Sequence, residues 1–251
     1  YVNGVLENSG TNSFSSLDTS NKSIQIGAVW QYAWPPFNGT IDEVKIYNRA
    51  LSADEIRAEF QGLAGYWKFD EGNGTTAHDS SANNNDGTIY GATWTEGIYG
   101  KALNFDGIDD YVEVPYSDVL DITGEITVGA WVKPNMNYTD MPHGWYHFVS
   151  DDAYQLGYGG WGDTVGFCLC NSTGAFFDVS AAPMTLHAGE WYHFVGVRQG
   201  SFVGLYMNDT LIASKNDFVG DLRTGTMPLR IGLSAYGHKP INGTIDEVKI
   251  Y

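Results

Sequence analysis

NGTIDEVKIY occupies residues 38–47 and recurs letter for letter at 242–251. Identity over such a stretch, at a domain-sized interval, is an internal repeat, and repeats set the units of a fold. The match extends outward. YVNGVLENS…KSIQIGAVWQYAWPPFNGTIDEVKIY (1–47) aligns with YMNDTLIAS…MPLRIGLSAYGHKPINGTIDEVKIY (206–251), with about one residue of slippage. The decapeptide therefore reads as the closing strand of a domain, present twice. Residues 63–251 read as a complete unit and 1–47 as the last quarter of a preceding one.

Between the copies, NRALSADEIRAEF (48–60) predicts a short helix. Ser52 is a good N-cap, Glu55 completes a capping box, and Leu51, Ile56 and Phe60 form one apolar stripe. Gln61-Gly62 ends it, as glycine does at a helix C-terminus, so 48–62 is helix and linker. Beyond it, strand signals are dense: ALNFDG, DYVEVP, ITVGAWVKP, YHFVSD, VGFCLC, WYHFVGVRQ, FVGLYMN and LRIGL, separated by turn clusters. In EITVGAWV the residues Ile126, Val128, Ala130 and Val132 share one face. The pattern predicts an all-β fold, an antiparallel two-sheet jelly-roll sandwich, with the one short linker helix.

Composition agrees: aromatics are 14%, with 31 Gly and only 17% charged residues, which suits a turn-rich β protein. The net charge of −17, from 13 basic against 30 acidic residues, argues against nucleic acid, whose binders need Lys and Arg. No stretch approaches the roughly 20 apolar residues of a membrane helix, so membrane insertion is not expected. No signal peptide is visible, and Tyr1 reads as a processing site or as a point inside a longer gene product. Cys168 and Cys170 in VGFCLCN sit at the edge of disulfide reach if the run is a strand. They read as free and apolar, against a sharper reading as a metal or redox pair. Asn-x-Ser/Thr sequons occur at Asn21, Asn38, Asn73, Asn137, Asn171, Asn208 and Asn242. They read either as turn chemistry or as N-glycosylation of an exported protein, and export to the cell surface or outside is the expectation.

GYWKFDEGNGTTAHDSSANNNDGTIYGATW (65–94), YGKALNFDGIDDYVEVP (99–115), ITVGAWVKP (126–134), GEWYHFVGVR (189–198) and NGTIDEVKIY together resemble the LamG-like jelly-roll family of the concanavalin A-like lectin/glucanase group. The resemblance spans nearly all of 63–251, and residues 1–60 are similar to the end of such a domain with its trailing helix. It implies sugar-binding, adhesion or architectural modules. It also implies a structural calcium where the first and last strands meet, with Asp70, Asp79 and Asp246 as ligands and Asn84 helping. Oxygen donors of this kind suit a hard cation; the plainer reading is that these acids cap turns.

Aromatics crowd NYTDMPHGWYHFVSDDAYQLGYGGWG (137–161). Stacking faces with polar neighbours suit sugars, so Trp145, Tyr146, Tyr154, Tyr158 and Trp161, with Tyr236 and His238 from a later loop, are candidate glycan contacts, although such aromatics also fill cores. His143 and His147 lack an evident third ligand for zinc, and His193 reads as structural. The alternating acidic strand of glucanases is absent, as are GxSxG, P-loop and GxGxxG.

Three functions follow in order. The first is an extracellular, non-catalytic carbohydrate-binding or adhesion module from a tandem-repeat protein, with glycans or surface proteins as partners. The second is a structural subunit of a glycosylated surface filament, assembled on neighbouring copies through the N-terminal repeat. The third is a glycoside hydrolase of the same fold.

Overall fold

The computed structural model describes residues 62–137, 140, 144–159, 164–184, 186–237 and 239–251, with isolated positions between 9 and 46. The helix expected at 48–60 lies outside the described residues. The chain divides into two compact units, Tyr1–Phe60 and Gln61–Tyr251. The architecture below is that of the second.

Its strands in chain order are β1 (Gly65–Trp67), β2 (Thr76–Ala77), β3 (Gly87–Tyr90), β4 (Thr93–Glu96), β5 (Lys101–Asp106), β6 (Tyr111–Val114), β7 (Ile126–Pro134) and β8 (Trp145–Ser150). They continue as β9 (Tyr154–Gly159), β10 (Thr164–Cys170), β11 (Phe176–Ser180), β12 (Tyr192–Gln199), β13 (Phe202–Met207), β14 (Thr210–Lys215), β15 (Leu229–Ile231) and β16 (Asn242–Ile250). One eight-stranded sheet runs β14-β13-β12-β7-β16-β5-β4, with β1 also paired to β16; the other runs β11-β10-β9-β8-β15-β6-β3-β2. All named pairings are antiparallel. This is the expected all-β jelly-roll sandwich. No helix among the described residues is long and apolar enough to cross a membrane.

The repeated decapeptide is the hub of the first sheet. Along one edge, β16 pairs with β7; along the other it pairs first with β5 through Asn242–Ile245 and then with β1 through Val248–Ile250. Ile245, Val248 and Ile250 are fully buried. The register shifts between Asp246 and Lys249, and Glu247 takes a left-handed φ of 51° there. Its N–H donates to Asp246 Oδ1 at 2.8 Å, a local hydrogen bond of the kind that offsets such backbone strain.

The core lies between the sheets. On β7, Ile126, Val128, Ala130 and Val132 are buried as alternation requires. Phe148 of the second sheet stacks on Phe194 of the first at 5.4 Å. Phe167 of β10 packs against Gly196 of β12, where an added Cβ would lie 2.4 Å from the ring. Trp67 is fully buried, its indole N–H donating to Asn85 O at 2.9 Å. Both cysteines are free, Cys168 half-buried and Cys170 buried.

Candidate functional site

Alternation decides which side chains leave the core. In YQLGYG of β9, Tyr154, Leu156 and Tyr158 are buried in the core cluster, which turns Gln155, Gly157 and Gly159 to the outer face. In TVGFCLC of β10, Val165, Phe167 and Leu169 belong to the core, leaving Gly166 and Cys168 outside. In β8, Tyr146 and Phe148 go in while Trp145 and His147 go out; in β11, Val179 goes in while Phe176 and Asp178 go out.

Antiparallel register then lines up the outward positions. His147 faces Gly157, and Gly157 faces Gly166. Gln155 faces Cys168, and Cys168 faces Asp178. Two adjacent glycines leave room that the side chains of Trp145, Asp178 and Ser180 enter over Gly166, and the outward residues line a cavity of about 250 Å³ across four strands. Trp145 and Phe176 stand at its two sides; Phe176 is exposed. The Trp145 indole reaches across β9, since a Cβ added at Gly166 would sit 3.6 Å from its Cζ3. It stacks on His147 at 6.4 Å with planes 21° apart. Gly157 admits no side chain, because a Cβ there would lie 2.4 Å from the Tyr146 carbonyl oxygen.

The polar groups of the groove are few. Asp178 Oδ2 accepts from the Ser180 hydroxyl at 2.6 Å, while its Oδ1 is buried without a hydrogen-bond donor. The Cys168 thiol is pushed up to about 12 by burial, with the Asp178 and Cys170 charges adding to it. It stays a neutral thiol at ordinary pH, which makes it a poor nucleophile and metal ligand.

Of the predicted sugar contacts, Trp145 lines this groove. Tyr154 is fully buried, its hydroxyl donating to Leu120 O at 3.1 Å, and is a core residue rather than a sugar contact. Tyr146 and Tyr158 are likewise core residues. Tyr236 is exposed but belongs to a separate cluster: its hydroxyl and the Arg223 guanidinium both donate to the Asp152 carboxylate. Burial raises the Asp152 carboxyl, yet these hydrogen bonds hold it below its ordinary value. Its neighbour Asp151, buried and beside other carboxylates, is pushed up to about 6. Trp161 and His238 lie outside the described residues. Phe176, Gln155, His147 and Asp178 were missed by the sequence reading, although counting by twos from Tyr154 and Val179 marks Gln155 and Asp178 as outward.

The expected calcium ligands are not gathered. Asp79 accepts four donors: Tyr66 N–H at 2.9 Å and Ser81 N–H at 2.8 Å on Oδ1, the Ser81 hydroxyl at 2.7 Å and Asn85 N–H at 2.8 Å on Oδ2. A carboxylate has about four lone-pair sites, so none is left for a cation. Asp246, fully buried, accepts the N–H groups of Ile98, Tyr99 and Glu247. Its burial nonetheless pushes the carboxyl up to about 7. Asp70 is exposed and accepts Lys101 N–H at 2.9 Å, so it and Asp246 both grip the β4–β5 turn. Asn84 is an exposed turn residue with φ 56°. Among the described residues, the carboxylates that do come within 4.8 Å of one another are Asp106, Asp109 and Asp110. There Asp110 accepts Asp106 N–H and Asp106 accepts Ile108 N–H, which is turn chemistry.

The sequons separate similarly. Asn38, Asn73, Asn137 and Asn208 are exposed and Asn242 is half-buried, while Asn21 lies outside the described residues. Asn171 is buried: its amide donates to Val219 O, and its Oδ1 accepts from Thr173 and Ala175 N–H. A glycan on that nitrogen would break the turn.

A family model described as the concanavalin A-like lectin/glucanases superfamily, of laminin G type, matches residues 1–57 and 106–251. The chain belongs to this superfamily. No curated protein sequence matches it. Among solved structures, it is similar to the binding domain of Paraclostridial Mosquitocidal Protein 1, with TM-score 0.62 and 16% identity over 75% of this chain and 48% of that one. It is similar also to domain 4 of AbnA, a GH43 extracellular arabinanase from Geobacillus stearothermophilus, in complex with arabinotriose, with TM-score 0.59 and 23% identity over 75% and 91%. A third is the botulinum neurotoxin serotype D ligand-binding domain in complex with N-acetylneuraminic acid, with TM-score 0.53 and 12% identity over 76% and 48%. At these identities the likeness is one of fold. The chain spans about half the length of the two toxin domains.

Proposed function

We propose that the Gln61–Tyr251 unit of this superfamily member is a lectin-like, non-catalytic carbohydrate-binding module of an extracellular protein. The observation that carries this is the groove across β8–β11. It sets the Trp145 indole and the exposed ring of Phe176 around Gly157 and Gly166, with Gln155, His147 and Asp178 between them. Aromatic faces for C–H surfaces and a few convergent polar groups are what a sugar site requires. The fold is shared with domains whose structures hold arabinotriose and N-acetylneuraminic acid. Asp178 is the one carboxylate among the described residues lining the groove, whereas glycoside hydrolysis ordinarily uses a pair. Titrating a panel of polysaccharides tests the reading. Trp145→Ala is expected to weaken binding at least tenfold, about 1.4 kcal/mol or more, without changing the melting temperature. Undiminished binding by this variant would take the site out of the groove, and no binding to any glycan would remove the function.

A second reading, self-association through the N-terminal repeat, rests on one contrast. Ile245, Val248 and Ile250 are fully buried, but Ile41, Val44 and Ile46 at the same places in the identical decapeptide are 45%, 51% and 72% exposed. Clustered exposed apolar side chains mark interaction surfaces. On this reading the chain forms concentration-dependent oligomers in sedimentation velocity, and Ile41→Asp with Ile46→Asp returns it to a monomer. A wild-type chain that stays monomeric at the highest concentration rules the reading out.

A further inference from the structure

We infer that the groove selects uncharged saccharides over anionic ones, with Asp178 as the residue that sets this preference. The inference rests on the groove being a glycan site. Asp178 lines the cavity opposite Cys168, and its Oδ1 is buried with no donor in the protein. A buried acceptor without a donor is costly; Oδ1 is closed off from solvent in the groove, and a saccharide hydroxyl reaches it and supplies the donor once the side chains over Gly166 shift aside. The alcohol O–H donates and the carboxylate accepts, a charge-assisted hydrogen bond stronger than one between neutral groups.

The surroundings exclude the opposite charge. No Lys or Arg is among the described residues that line the cavity. Lys215 Nζ is already bound to the Asp178 main-chain oxygen at 2.6 Å, and Lys239 lies over the Tyr146 ring at 5.9 Å. A uronate or sialate carboxylate would meet the Asp178 carboxylate, the one acidic side chain among the described lining residues, on a chain of net charge −17. Like charges brought together in a partly desolvated groove repel.

Matched polymers test this on the intact chain: fully methyl-esterified polygalacturonate against polygalacturonate, and mannan against mannuronate-rich alginate, at low and high salt. The expected result is retention of a neutral polymer with at least tenfold preference over its acidic counterpart, widening at low salt. Asp178→Asn should weaken neutral binding at least fivefold and narrow the preference. Equal or tighter binding of the acidic polymers overturns the inference, as does an Asp178→Asn variant with wild-type affinity and preference. The wild-type comparison decides the matter even where that variant does not fold. Trp145-dependent binding of an acidic polymer would overturn this inference and leave the carbohydrate-binding reading standing. Retention of no polymer at all would overturn both.

Discussion

Asp79→Ala is expected to lower the unfolding free energy of the Gln61–Tyr251 unit by roughly 4 kcal/mol. The substitution strips the acceptor from four donors at once. Two of them, the N–H groups of Tyr66 and Asn85, belong to buried residues, and each buried donor left unpaired costs about 1–3 kcal/mol. For a domain of this size the melting temperature should fall by roughly 8–16 °C. Asp79→Asn should lie between, since its amide oxygen keeps one pair of donors while its NH₂ opposes the other. The comparison also bears on calcium. With its acceptor sites filled from within the chain, Asp79 is expected to stabilise without a metal, and chelation of the wild-type protein should leave the melting temperature unchanged. Chelation that reproduces the loss seen in Asp79→Ala would return Asp79 to a metal site.

Gly196→Val should destabilise by about 3 kcal/mol through the opposite fault, an overfilled core. A Cβ at 196 would approach Cγ and Cδ2 of Phe167 to 2.4 Å and Cδ1 to 2.7 Å. Phe167 is fully buried and cannot swing to solvent. The strain passes to the groove, because Phe167 lies on β10 between Gly166 and Cys168, two of the groove's own residues. Glycan binding should therefore weaken along with stability. Phe167→Leu should recover part of both in the double variant, as expected of residues in direct contact. Equal melting curves for Gly196→Val and wild type would show that the sheets can separate at this point without cost.

The repeat, the strand alternation and the turn clusters were enough to read the sandwich, because each is a local property. The inward set of β7 follows from counting by twos, and so does the inward set of β9. That same count places Tyr154 and Tyr158 in the core. The aromatic-rich segment supplied candidates from β8 and β9, but Tyr146, Tyr154 and Tyr158 face the core, because composition carries no parity.

Other features depend on partners far along the chain. Asp246 looks like a cation ligand in TIDEV, yet its oxygen is taken by Ile98, 148 residues away in sequence. Asp79 looks the same and is satisfied by Tyr66 on another strand. The groove is likewise tertiary. The shift of register between His147 and Val149 re-aims β8, so that His147 lies opposite Gly157, which in turn meets Gly166. The sequence alone determined the two-sheet architecture and the inward side of regular strands such as β7, since a period of two is written into them, but not of β8, where the register shift puts adjacent Phe148 and Val149 both in the core. Only the tertiary structure decided which outward residues meet across strands and which acids already have donors, because register and hydrogen-bond satisfaction are properties of pairs, not of residues.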